Sequence, residues 1–146
     1  MYKNKFMFSI TPLLLLGSSI CLDASAYDKH PIEKSTEACF DKTSSTMGML
    51  RCNTEAYKKW DKELNRVYKA LMRELKHNKK AKRALRKAQR AWLKYKKAEM
   101  NNINKIYGLQ DGTMWIPITA GAKSDITKER ALTLKSYVDS LQIGNN

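Results

Sequence analysis

The residue types that usually carry acid–base or metal chemistry are few in this chain. It holds two histidines, His30 and His77, and neither stands in an obvious pairing with a serine or cysteine nucleophile. HExxH, CxxC and glycine-rich phosphate-binding sequences do not occur in it. We therefore expect no catalytic residue, no metal site and no cofactor, and we interpret the protein as non-enzymatic.

Carboxylates in the middle of the chain are the other candidates for acid–base work, as in the paired carboxylates of glycoside hydrolases. They are Glu55, Asp61, Glu63 and Glu74. Basic residues stand near them, mostly three or four positions away, which is typical of ion pairs along one helix. We favour ion pairing, and a hydrolase site is the alternative that spacing in the sequence leaves open.

Positive charge is the most uneven property of the chain. It has 28 Lys and Arg against 14 Asp and Glu, a formal net charge of +14. Residues 79–97 include no acidic residue, and five basic residues there share one helical stripe. This basic stripe comprises Arg83, Arg86, Arg90, Lys94 and Lys97. It is either a solvated helix face, whose aliphatic stems cover apolar surface, or a surface that binds an acidic protein or another polyanion.

Two long stretches with helical periodicity position these charges. Apolar residues recur at steps of three and four over residues 57–75 and again over 81–95, the spacing of one buried helix face. The short polar segment 76–80 separates the two stretches, as in a helix–helix turn. We predict an all-α protein in which helices over about 46–76 and 79–107 form a long antiparallel hairpin.

The flanking segments have weaker patterns. Residues 27–45 are polar, contain Pro31 and lack a sustained period, so we expect an extended N-terminal arm. Residues 109–124, which include Trp115, are predicted to be a loop, because Pro117 opposes helix formation. Thr127 is a suitable N-cap for a shorter third helix. The apolar face of that helix would hold Ala131, Leu134, Val138 and Leu141.

Residues 1–26 have the layout of a secretory signal peptide. Lys3 and Lys5 precede an apolar run, and Ala24-Ser25-Ala26 forms a cleavage site of the A-x-A type. A membrane anchor is the alternative, but the apolar run is short for roughly 30 Å of hydrocarbon. Cleavage would remove two lysines and one aspartate, which changes the formal charge from +14 to +13. We predict a periplasmic or secreted protein whose helical domain spans residues 46–146.

The cysteines support an exported location. Cys21 would be lost with the leader, since its surroundings do not fit a lipoprotein attachment site. The remaining pair, Cys39 and Cys52, is an even number in an oxidising compartment. We predict a disulfide between them, and two free thiols are the alternative.

Polar side chains flank the predicted seam of the hairpin. Asp61 and Asn65 stand beside the apolar face of the first long helix, and Gln89 and Arg90 precede Trp92 on the second. We expect hydrogen bonds between these two pairs to fix the register of the hairpin, because buried polar groups usually need partners within the protein. A ligand-binding role is the alternative.

Three short segments form the most specific pattern in the chain. They are Asp61-Lys-Glu-Leu-Asn65-Arg-Val-Tyr68, Ala88-Gln89-Arg90-Ala-Trp92 and Thr127-Lys-Glu-Arg130. Together with Cys52, they resemble the lysozyme inhibitor LprI-like family of small exported helical proteins, over about residues 39–141. The resemblance implies a non-catalytic protein that occludes a cell-wall muramidase. Members often carry a second cysteine pair where Met100 and Ala122 stand here, so we expect these two side chains to lie close together.

A protein is therefore the expected partner, either a lysozyme-like hydrolase or an acidic protein, contacted through the basic stripe and Trp115. Two alternatives have the same predicted compartment. One is a cationic module for an anionic envelope surface or polyanion, and the other is an immunity protein against an imported toxin. Nucleic acid is not an expected partner, and the sequence leaves the oligomeric state open.

Overall fold

Four α-helices make up the computed structural model, which describes residues 29–143. They are α1 (Pro31–Phe40), α2 (Thr46–Glu74), α3 (Lys79–Tyr107) and α4 (Trp115–Ile143). The predicted all-α class is confirmed, and no strand occurs within residues 29–143. No helix in this range is long and apolar enough to cross a membrane. The predicted signal peptide, residues 1–26, lies outside the described residues.

The centre of the fold is α2, which packs most closely against α4. Ser45 caps α2 by accepting a hydrogen bond from the backbone N–H of Gly48 at 3.0 Å. The buried face of α2 meets that of α4 in one hydrophobic core. Its buried members are Ala56, Trp60, Leu64, Val67, Leu71, Leu85, Ala131, Leu134 and Val138. Contacts of Asn53 with Pro117 and of Glu74 with Gln142 show that α2 and α4 run parallel.

The third member of the bundle, α3, runs antiparallel to both and lies farther from α2 than the predicted hairpin required. Leu85 is the one α3 residue in the described range that is fully buried, while Ala88 is exposed and Trp92 is partly covered. The predicted antiparallel arrangement of α2 and α3 is therefore confirmed, but the apolar face of α2 is buried mainly by α4 rather than by α3. Small residues on α4, such as Gly121 and Ala131, allow its close approach to α2.

The predicted extended arm is instead α1. Pro31 occupies the first helical turn, where its missing N–H is not needed. His30 caps the helix by accepting from the N–H of Ile32, and the Glu33 carboxylate accepts from the N–H of His30. This local capping explains why a polar segment containing proline folds as a helix.

A disulfide joins α1 to α2. Cys39 and Cys52 are bonded, as predicted, with their Cα atoms 5.7 Å apart. At the other end of α1, the His30 ring lies 4.6 Å from the Trp60 ring, measured between centroids. These two contacts place α1 antiparallel to α2 and cover part of the core.

Residues 115–124 of the predicted loop and the shorter third helix form one long helix, α4, while residues 109–114 are irregular as predicted. It begins at Trp115 and has 29 residues, as many as α2. Pro117 lies in its first turn, where no intrahelical N–H bond is required, so this proline does not oppose the helix. Thr127 is fully buried within α4 rather than capping it. The irregular connection between α3 and α4 spans residues 108–114.

Candidate functional site

The polar residues predicted to lock the hairpin line a groove instead. This motif groove lies between α2 and α3 and has a volume of about 410 Å³. Its polar walls include Asp61, Asn65, Gln89 and Arg90, and Trp92 forms part of its apolar wall. Residues from two of the three family-like segments are therefore neighbours in the fold.

The predicted hydrogen bonds across the motif groove are replaced by others. Asp61 accepts from Lys96 Nζ at 3.3 Å, and the Asn65 amide donates to the Asp61 carbonyl within α2 at 2.8 Å. Because α3 stands away from α2, a long lysine side chain reaches across where a glutamine does not. Lys96 also lies 5.0 Å from the ring centroid of Tyr57 and 5.4 Å from that of Trp92.

Gln89 forms its side-chain hydrogen bond with α4 rather than with α2. Its side-chain oxygen accepts a hydrogen bond from Arg130 Nε at 3.1 Å. The Arg130 guanidinium also lies 5.9 Å from the ring centroid of Trp92. Partial burial lowers the pKa of Arg130. Arg130 is not among the site residues predicted from the sequence. The feature that could have indicated it is the third family-like segment, of which Arg130 is the last residue.

The basic stripe is a continuous cationic surface on α3. All five members, Arg83, Arg86, Arg90, Lys94 and Lys97, are exposed. Within residues 29–143 none of them has an acidic side chain at ion-pair distance. At the N-terminal end of the stripe, a cleft of about 370 Å³ is lined wholly by basic residues. They are Lys76, Lys79, Lys82, Arg83 and Arg86.

Trp115 belongs to a larger groove at the opposite end of the bundle. This Trp115 groove has a volume of about 600 Å³ and is walled by α2, α3, α4 and the α3–α4 connection. The Trp115 and Tyr107 rings lie 5.5 Å apart between centroids. Met100 lines the groove together with Ala120 and Lys123, while contact of Met100 with Ala122 stays a prediction.

Large apolar side chains are exposed in or beside the Trp115 groove. Ile116 is 47% exposed and lines it, and Leu109 and Met114, in the adjoining connection, are 81% and 65% exposed. The sequence indicated Trp115 but not the groove, because the groove depends on α4 beginning at Trp115, well before the predicted N-cap Thr127. The feature that could have indicated the groove is the unusual number of apolar residues in the segment predicted to be a loop.

The carboxylates of α2 serve the structure as ion-pair partners. Glu55 accepts a hydrogen bond from Lys58 Nζ at 2.8 Å, and Glu63 accepts two hydrogen bonds from Arg66 at 2.7 Å. The Arg66 guanidinium lowers the pKa of Glu63. No group of three His, Cys, Asp or Glu side chains in residues 29–143 could hold a metal ion.

Fold and grooves together define a small, disulfide-linked helical protein with open surfaces for a partner. Residues 39–134 match the sequence model of the lysozyme inhibitor LprI family, and the chain belongs to that family.

Two relatives share most of this chain. An uncharacterized protein of Rhizobium meliloti (strain 1021) is 25% identical over 138 residues, which cover 87% of this chain and 94% of the relative. A crystal structure of an uncharacterized protein from Burkholderia thailandensis is similar with a TM-score of 0.71 and 28% identity. The match covers 78% of this chain and 56% of that protein, so this chain corresponds to just over half of it.

Proposed function

We propose that this protein is an exported, non-catalytic inhibitor that occludes a lysozyme-like cell-wall hydrolase. Membership of the lysozyme inhibitor LprI family supports the class of partner. The Cys39–Cys52 disulfide supports export, because such bonds persist mainly in oxidising compartments. Inhibition by occlusion needs a binding surface rather than reactive groups.

The observation that carries the proposal is the exposed apolar surface at the Trp115 groove. In a chain with a net charge of +14, Ile116 is exposed in the groove, and Met114 and Leu109 are exposed in the adjoining connection. Large apolar side chains that are exposed near one another commonly mark a protein-binding site. Aromatic residues dominate the affinity of many interfaces, and the groove offers both Trp115 and Tyr107.

The charge of α3 limits which hydrolase can bind. Approach of a strongly basic lysozyme to the basic stripe would be opposed by repulsion, while an acidic hydrolase would be attracted. The partner in this proposal is therefore an acidic muramidase. Its apolar contact would occupy the Trp115 groove, and its acidic surface would lie along α3.

A charge introduced into the groove tests the apolar contact. In Ile116→Asp, a carboxylate replaces an exposed groove residue in the first turn of α4, where a negative charge is compatible with the helix. Hydrolysis of peptidoglycan by an acidic muramidase would be measured against inhibitor concentration. We expect inhibition by this variant to be weaker by at least about tenfold, or roughly 1.4 kcal/mol.

The matched control is Ile143→Asp, the same substitution at the far end of the same helix. Ile143 is 77% exposed and lies about 40 Å from Ile116 along α4. The Ile143→Asp variant should inhibit the hydrolase as strongly as the unmodified protein does. Equal inhibition by both variants would place the contact elsewhere, and failure of the unmodified protein to inhibit any muramidase would refute the proposed function.

The basic stripe favours a second candidate, a cationic module for an anionic envelope surface. The observation that supports this candidate is the cleft at the N-terminal end of the stripe, whose walls consist of five basic side chains and no acidic one. Retention on vesicles that contain anionic lipid, lost at high salt, would favour this candidate. Capture of one stoichiometric hydrolase from an envelope extract, retained at high salt, would favour the inhibitor.

A further inference from the structure

A second apolar cleft lies at the other end of the bundle from the Trp115 groove. It has a volume of about 460 Å³, within the roughly 300–1,000 Å³ range of small-molecule sites. Leu71 and Leu75 of α2, Leu85 of α3 and Leu141 of α4 supply its aliphatic walls. Arg130 of α4 is the one charged residue on those walls. We call it the Arg130 cleft.

Arg130 is an incompletely paired cation in a partly buried position. Its Nε donates to Gln89, but no carboxylate in residues 29–143 lies at ion-pair distance from the guanidinium. The two terminal nitrogens of an arginine offer further N–H donors in a fork that matches a carboxylate. A partly buried charge without a counter-ion is unfavourable, so an anion at this position would be stabilised.

The rest of the cleft suits a hydrocarbon more than a peptide. It provides few polar groups that could pair with peptide amides, and the Ser140 hydroxyl already donates to the Ser136 carbonyl of its own helix. From Arg130 to Leu141 the cleft follows α4 for about 16 Å, from the helical rise per residue. That length accommodates an extended dodecanoate chain.

We propose that the Arg130 cleft binds a linear fatty acid. The carboxylate pairs with the terminal nitrogens of Arg130, and the alkyl chain lies along Leu85, Leu71 and Leu75. The Tyr137 hydroxyl, in the same cleft, is a second donor for the carboxylate. This site is separate from the hydrolase-binding surface, so its test does not depend on the proposed function.

Calorimetric titration with dodecanoate, below its micelle concentration, tests the site. Dodecanol is the matched probe, because it has the same chain without the charge. We expect dodecanoate to bind the unmodified protein at least about tenfold more tightly than dodecanol, and Arg130→Gln to remove that difference. Arg83→Gln, in the exposed basic stripe, should leave the affinity unchanged.

A cleft-filling variant keeps the test independent of Arg130's role in the fold. Ala88 lines the cleft and is exposed, so Ala88→Phe should fold normally and weaken dodecanoate binding. Circular dichroism would verify folding of each variant. Equal affinities for dodecanoate and dodecanol, equal weakening by Arg83→Gln and Arg130→Gln, or no binding at all would overturn the proposal.

Discussion

The side-chain amide of Asn53 donates a hydrogen bond to the carbonyl oxygen of Pro117 at 2.8 Å. This bond joins α2 to the first turn of α4 and positions the adjoining Trp115. One turn later, Gly121 lies so near Asn53 that a Cβ on it would stand 3.4 Å from the amide. The start of α4, and with it the wall of the Trp115 groove, is therefore held by contacts with α2.

Asn53→Ala should loosen the first turn of α4. Loss of one side-chain hydrogen bond is expected to lower the free energy of unfolding by about 1 kcal/mol. Amide hydrogen exchange should become faster over residues 115–121. Asn65→Ala is the control, because the Asn65 side chain bonds only within α2. Exchange in α4 that Asn53→Ala leaves unchanged would show that other contacts hold this turn.

Reduction of the Cys39–Cys52 disulfide should destabilise the protein without changing its fold class. The cysteines are 13 residues apart, and closing a loop of this size contributes about 3 kcal/mol in the chain-entropy model. Urea denaturation with and without reductant measures the difference. Exported protein should also show no alkylatable thiol before reduction. An unchanged unfolding midpoint after verified reduction would contradict this account of α1.

Two tryptophans should differ in their contribution to stability. Trp60 is 2% exposed at the centre of the core, whereas Trp92 is only partly covered. Trp60→Ala is expected to lower the free energy of unfolding by about 3–5 kcal/mol, and Trp92→Ala by clearly less. Thermal or chemical denaturation of both variants is the measurement. A larger loss for Trp92→Ala would mean that α3 packs against α2 more closely than in this structure.

Acid should weaken the attachment of α1 to α4 through Glu33. A hydrogen bond from Lys128 is the main reason that the pKa of Glu33 is lowered in the folded protein. A carboxylate with a lowered folded pKa stabilises the fold above its unfolded pKa of about 4.3 and loses that effect as the pH falls through the folded value.

Glu33→Gln should therefore be less stable than the unmodified protein above about pH 5 and should approach it below about pH 4. Thermal unfolding across this range measures the difference. The neighbouring Asp125, whose pKa is raised by partial burial, is retained in both proteins. A stability difference that does not change with pH would exclude the ion pair as its cause.

Helical periodicity predicted which faces are buried but not which helices meet. The bounds of α3 and the start of α2 agree with the prediction, since apolar spacing and Ser45 mark them clearly. The two segments predicted without helix, α1 and the start of α4, both contain a proline in the first turn, where a proline is compatible with a helix. Periodicity alone could not choose between α3 and α4 as the main partner of α2.

Only part of the candidate site could be predicted from the sequence. Residue type and spacing predict the basic stripe and Trp115 as candidates, and their role stays a prediction; in the structure the stripe is exposed and Trp115 lines a groove. Arg130 and the full Trp115 groove were not identified, because both depend on how α4 lies against its neighbours. Tertiary placement, rather than local pattern, determines these contacts.

Inhibition of two muramidases with opposite net charge is the most direct test of the function. Peptidoglycan hydrolysis by an acidic and a basic enzyme would be titrated with the unmodified protein and with a variant in which Arg83, Arg86, Lys94 and Lys97 are Glu. We expect tight, salt-sensitive inhibition of the acidic enzyme, weak or no inhibition of the basic one, and loss of inhibition in the variant with its fold retained. Nanomolar inhibition of the basic enzyme, unaffected by the four reversals, would contradict a role for the basic stripe in choosing the partner.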